Sequence, residues 1–214
     1  MQFFGENLSC IRGERLVFSK LNFHVKPGNT LIITGSNGSG KTSLLRLMAG
    51  LATPESGYIS WGDDPNLEKP ENHSERLHYI GHLNALKSTI SVLENLKSWS
   101  FLHGGNTKKV INAIKSLNLD GLEDIPCGYL SSGQKQRATL ARLIASDAPL
   151  WLLDEPTNAL DPNSVDLLHS LINKHLEKGG MLIIATNTEL QVEKYQELKM
   201  GNFSANHEIL TSDK

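Results

Sequence analysis

The sequence predicts an α/β fold: short buried strands alternating with helices around a parallel sheet, an antiparallel β portion ahead of it, and a helical stretch set into it. Three observations carry this prediction. The segments 31–34 (LIIT), 150–153 (LWLL) and 181–186 (MLIIAT) are apolar with almost no alternation, the pattern of strands covered on both faces. Residues 8–25 instead alternate, with Leu21, Phe23 and Val25 against Asn22 and His24, as half-buried antiparallel strands do. Between the apolar strands, residues from about 85 to 130 read as helical and amphipathic.

In chain order, the stretch 8–25 predicts two strands around a turn at Gly13, and Pro27-Gly28 turns the chain into the strand 31–34. A glycine-rich loop follows, then a helix through KTSLLRLMAG closed by Gly50, with Leu44, Leu45, Leu47 and Met48 as candidate core. The polar run 62–76, with Gly62, Pro65 and Pro70, predicts a loop. A helix is expected over 91–103, where Ser91 and Glu94 have capping-box spacing, and a second over 107–117. A helix at 135–146, the strand 150–153, a helix at 163–178 and the strand 181–186 then restore the strand–helix alternation of a parallel sheet. The 214 residues suit one domain, with the helical stretch 85–130 as an insertion within 1–214.

Composition narrows the function classes. Apolar residues make up 39% and charged residues 21%, and no apolar run approaches the roughly 18–20 residues that cross a bilayer. The start, MQFFGENLSC, predicts no secretion signal. Net charge is −2, from 21 basic and 23 acidic residues without clustering, which argues against a nucleic-acid partner. Cys10 and Cys127 stand far apart and outside any metal-ligand spacing, as reduced packing residues would.

The chemistry begins at Gly35-Ser36-Asn37-Gly38-Ser39-Gly40-Lys41-Thr42, an ungapped G-x-x-x-x-G-K-[ST] phosphate loop between a strand and a helix. Glycines let backbone N–H groups approach the phosphates, and the helix opening at Lys41 aims its positive end at the same anions. Lys41 would neutralise charge on the β- and γ-phosphates of ATP, and the Thr42 hydroxyl would ligate Mg²⁺. A second apolar strand ends in Asp154 and Glu155. Asp154 at the strand tip is placed for the Mg²⁺ shell, and Glu155 is the candidate base for the attacking water; capping of the next helix is the alternative use for both carboxylates.

Leu130-Ser131-Ser132-Gly133-Gln134 precedes a helix carrying Lys135, Arg137 and Arg142. The order GSNGSGKT, LSSGQ, LLDEP and Ala159-Leu160-Asp161 resembles the signature set of ABC ATPases over residues 8–188. The resemblance implies a P-loop ATPase cassette with an antiparallel β subdomain and an inserted helical subdomain. It further implies that Ser131, the Gly133 backbone and Gln134 serve the γ-phosphate held by a second copy. A head-to-tail homodimer with two ATP molecules follows, with Ala159-Leu160-Asp161 along the seam.

Three positions depart from the general family pattern. Arg12 occupies the place of an adenine-stacking aromatic residue; a guanidinium can also stack on a purine, or the residue is a solvated turn arginine. His82, in Tyr79-Ile80-Gly81-His82, stands where a glutamine ordinarily ends the strand near Mg²⁺, as a titratable group or a structural histidine. Asn187 follows 181–186 where a histidine ordinarily contacts the γ-phosphate and orients Glu155, so slowed hydrolysis is expected.

The Arg12-Gly13-Glu14-Arg15 turn, Tyr79-Ile80-Gly81-His82 with Lys87, Leu93-Glu94-Asn95-Leu96 and Pro126-Cys127-Gly128-Tyr129 resemble the ATP-binding subunits of the cytochrome c maturation haem exporter. That resemblance implies integral membrane partners and a peripheral place on the cytoplasmic face of a bacterial inner membrane, with membrane contact through the partners only. A partner's cytoplasmic helix would dock on the helical insertion, where Trp99 and Phe101 either face that groove or pack inside. The other readings are an ATPase subunit of a different ABC transporter and an ATP-gated subunit that scarcely hydrolyses.

Overall fold

The computed structural model describes residues 2–62, 70–187 and 192–203. Its strands are β1 (Phe3–Arg12), β2 (Arg15–Val25), β3 (Thr30–Thr34), β4 (Ser56–Trp61), β5 (Leu77–Ile80), β6 (Leu150–Asp154), β7 (Met181–Ala185) and β8 (Tyr195–Lys199). Its helices are α1 (Lys41–Met48), α2 (Pro70–Glu75), α3 (Val92–Leu102), α4 (Thr107–Ser116), α5 (Ser132–Ala145) and α6 (Pro162–Glu177).

Two sheets form. The first is antiparallel in the order β2-β1-β4; the second has five strands in the order β5-β6-β7-β3-β8, with parallel pairing throughout. The expected buried strands are β3, β6 and β7, and they occupy the three central places of the parallel sheet. Every residue of β6 and β7 is buried, which accounts for their apolar runs.

The parallel sheet separates two cores. On one face Leu44, Leu45, Leu47 and Met48 of α1 join Phe3, Phe18, Trp61 and Ile33. On the other, α3, α4, α5 and α6 contribute Leu96, Ile114, Leu140 and Leu168. The four apolar residues of α1 are at most 3% exposed. Burial is worth about 1.5–3 kcal/mol per such side chain, against about 0.3–1 kcal/mol for a charge at a helix end. Packing therefore fixes where the start of α1 points, and the phosphate-facing dipole is a consequence of that placement. Both cysteines are free and buried.

The loop expected over 62–76 is corrected in part. Pro70–Glu75 is helical, with proline at the first position, where its missing N–H costs nothing; 63–69 lie outside the described residues. His73 holds the helix down, accepting from Trp61 Nε1 at 2.8 Å on Nδ1 and sharing a 2.8 Å bond with the Met48 carbonyl on Nε2. The expected capping box at Ser91 and Glu94 is present in both directions. Phe101 is 84% exposed, whereas Trp99 lies half-buried under the Arg142 guanidinium at 3.5 Å, so the two aromatic residues part company.

Candidate functional site

The start of α1, the tip of the β1–β2 hairpin and the end of β6 enclose a cleft of about 710 Å³. The segment 36–40 forms its floor, and Gly40, with φ of 101°, is the turn into α1. A Cβ there would stand 2.6 Å from Val17 Cγ1, so glycine is required by conformation and by space.

Lys41 is only 7% exposed. Its ammonium donates to the Gly35 carbonyl at 2.7 Å and to the Ser36 carbonyl at 3.4 Å, and lies 3.9 Å from Glu155 Oε1. Gly35 thus sits behind the cleft wall as an acceptor. The Thr42 hydroxyl donates to Asp154 Oδ2 at 2.8 Å, joining the phosphate loop to the strand tip across the sheet. Burial pushes the Asp154 carboxyl above the usual carboxylate range, opposed by the Thr42 hydrogen bond. The Glu155 charge raises it further, while His82 and Lys41 pull it down.

Glu155 is held in a left-handed conformation, φ 51°, while its N–H donates to Ala185 O at 2.8 Å. A non-glycine residue there costs of the order of 1–3 kcal/mol, and the strain turns its carboxylate off the strand line toward the cleft. Neither Asp154 nor Glu155 caps the next helix. Asp161 does that, accepting from Ser164 N, and this bond lowers its carboxyl.

Of the residues expected at the site, Ser36 through Thr42, Arg12, His82, Asp154 and Glu155 line this one cleft. Asn187 does not: it is exposed in a bend just beyond β7. Ser131, Gly133 and Gln134 lie elsewhere. Ser131 is the N-cap of α5, its hydroxyl accepting from Gln134 N at 3.2 Å while its N–H donates to Gln134 Oε1 at 2.9 Å. Gly133 faces the Ala159 carbonyl, which a Cβ would approach to 3.3 Å. Gln136 and Arg137 tie α5 to the Pro156 carbonyl at 3.0 Å and to Asp161 at 3.5 Å.

Arg15, Arg46 and Asn158 also line the cleft and were missed as site residues. Arg46 was findable, since it stands four residues after Thr42 and so on the same helix face. Asn158 reaches the cleft through a turn, its N–H donating to Glu155 O at 3.2 Å, which no spacing rule announces.

The family model described as ABC transporter matches residues 18–158. The cytochrome c biogenesis ATP-binding export protein CcmA of Rhodospirillum rubrum is 46% identical over 202 residues, covering 94% of this chain and 87% of that protein. Its namesake in Paramagnetospirillum magneticum is 42% identical over 211 residues, covering 97% of each. Among solved structures, an ATP-binding subunit of an ABC transporter superposes with TM-score 0.83 at 22% identity, over 94% of this chain and 87% of that one. The cbiO1 protein of Clostridium perfringens, part of the cbiONQ ABC transporter complex, superposes with TM-score 0.73 at 27% identity, over 93% and 85%.

Proposed function

The chain belongs to the ABC transporter ATPases, among the cytochrome c biogenesis ATP-binding export proteins, and from that membership we propose that its ATP cycle powers haem delivery through a membrane partner pair. One observation carries the chemistry: Lys41, Thr42, Asp154 and Glu155, from two elements far apart in sequence, converge on a single cleft. Residues 1–214 then act as one ATP-binding domain, with 85–130 as its helical insertion.

In the proposed cycle the segment 36–40 and Lys41 hold the phosphates, and Arg12 lies over the base. Thr42 and Asp154 offer the hard oxygen atoms that suit Mg²⁺, and their mutual 2.8 Å contact is a fitting place for it. When bound, the ion neutralises charge on the phosphate oxygens. Glu155 accepts the proton as water attacks the γ-phosphorus; the new P–O bond forms as the bond to the β-phosphate oxygen breaks, giving ADP and phosphate. His82 stands at the cleft wall to hold that water or the γ-phosphate. The Ser131–Gln134 loop lies outside the cleft and is already capped within its own chain, which supports its use on the nucleotide of a second copy.

Phosphate release by the native protein, with Glu155→Gln as the blank, tests the hydrolytic reading: native turnover well above the blank is expected, and equal rates would contradict it. Restored holocytochrome c in cells lacking the endogenous subunit, lost again with Glu155→Gln, tests the haem assignment. A second reading, a slow ATP-gated subunit, has one observation in its favour: Asn187 is exposed and off the cleft. Native phosphate release scarcely above the Glu155→Gln blank, with ATP still bound tightly, would favour it.

A further inference from the structure

The segment that leaves the cleft after His82 and the segment that enters the Ser131–Gln134 loop run side by side, and one side chain joins them. Asn95, in the first turns of α3, accepts from Lys87 N at 2.9 Å through Oδ1. Its Nδ2 donates to Lys87 O at 3.0 Å, Ser91 O at 3.0 Å, Ile90 O at 3.3 Å and Cys127 Sγ at 3.2 Å. An amide has two hydrogens, so these four acceptors share them and Asn95 is fully used. Backbone bonds complete the join: Cys127 N donates to Ile90 O at 3.0 Å and Gly128 N to Ser88 O at 2.8 Å. Three residues beyond Gly128 stands Ser131.

We infer that Asn95 is a positioning residue: by clasping the segment after His82 to the segment before Ser131, it sets where one copy presents its Ser131–Gln134 loop to the nucleotide of the other. The inference rests on the two-copy reading above. A leucine in place of Asn95 would fill the same space, so packing alone does not require this residue. The amide adds what the backbone bonds do not supply: a hold on both the N–H and the carbonyl of Lys87, and a donor to Cys127 Sγ. A clasp of this kind acts through placement, and a shift of about 1 Å in a group aimed at a reacting phosphate costs on the order of 100-fold in rate.

The test compares Asn95→Asp, which keeps the acceptor and removes the donor, Asn95→Leu, and Cys127→Ala, which cuts only the sulfur link. Each is made in the native chain and in a Glu155→Gln chain, and the readouts are affinity for a fluorescent ATP analogue, ATP-driven pairing and phosphate release. Affinity at the cleft is expected to stay within about twofold, as for a residue that binds nothing itself. Turnover of Asn95→Asp and Asn95→Leu is expected to fall about 10- to 100-fold, with pairing weakened in parallel, and Cys127→Ala to shift in the same direction by less. Native turnover by a folded Asn95→Asp chain that still pairs would overturn the role of Asn95 alone. So would a loss of ATP-analogue affinity matching the loss of turnover, which marks a mere support of the fold. Failure of the Glu155→Gln chain to pair with Asn95 intact would overturn the two-copy reading, and the role of Asn95 with it.

Discussion

The Lys41 cleft and the Ser131–Gln134 loop are both glycine-containing helix starts, yet they are built oppositely. In the cleft, groups from α1, β6 and the β1–β2 hairpin tip face one another, and two are under stress: a buried carboxylate pushed up and a left-handed Glu155. At the loop, Ser131 and Gln134 satisfy each other and Ser131 is exposed. Strain and perturbed ionisation mark a place where chemistry is prepared; a satisfied, outward cap marks a place that is presented.

The largest effect that sharpens this contrast is on Glu155. Glu155→Gln should lower turnover about 10²–10⁴-fold while ATP still binds, measured by phosphate release and nucleotide affinity. Ser131→Ala comes next: turnover should fall about 10²–10³-fold with cleft affinity unchanged, as when one transition-state donor is removed. The same substitution removes the N-cap of α5 and should cost about 1 kcal/mol in a urea melt, whereas Ser131→Asn keeps a capping oxygen and should lose turnover without that cost. If affinity fell with Ser131→Ala, the loop would belong to its own cleft and the contrast would fail.

Smaller effects come from ionisation. His78 is buried and His175 half-buried, each with its pKa lowered to about 4 by burial, and His175 is stacked on Trp151 at 3.9 Å. The unfolded chain takes up these protons below its own value of about 6.5, before the folded chain does, so stability is full above that pH and falls toward 4. The slope approaches about 1.4 kcal/mol per pH unit for each histidine. A pH series of urea melts on the single His175→Gln variant should show a shallower slope than the native chain. At Asp154 the sign is reversed: its raised carboxyl means the charged form is disfavoured by the fold, so Asp154→Asn should not lower the melting temperature at neutral pH even as turnover is lost.

Legibility followed burial. The strands β3, β6 and β7 could be read because both faces are covered and every side chain must be apolar. β4 was missed: only Trp61 of its six residues is buried, and its Gly57 sits where a Cβ would meet the Glu6 carbonyl at 2.2 Å, a constraint set by β1 and invisible locally. β8 was missed for the same reason, an edge strand with one buried residue. At the site, the phosphate loop and the two carboxylates were legible because close phosphate approach restricts residue type. The place of Asn187 was not: whether it faces Lys41 depends on how the chain leaves β7, whereas the separation of Ser131 from its own Lys41 was expected from the family resemblance. The S-x-x-Q spacing of Ser131 and Gln134 is that of a capping box, and an ordinary N-cap, one of the two uses open to these residues in the sequence, is what they form within their own chain.

The most direct measurement mixes two chains that are each inactive, one with Lys41→Ala and one with Ser131→Ala, and follows phosphate release. A mixed pair contains one site with an intact Lys41 cleft from one copy and an intact Ser131 loop from the other, so activity should reappear on mixing. Continued inactivity of the mixture, with both proteins folded and native chains active, would contradict a site divided between two copies.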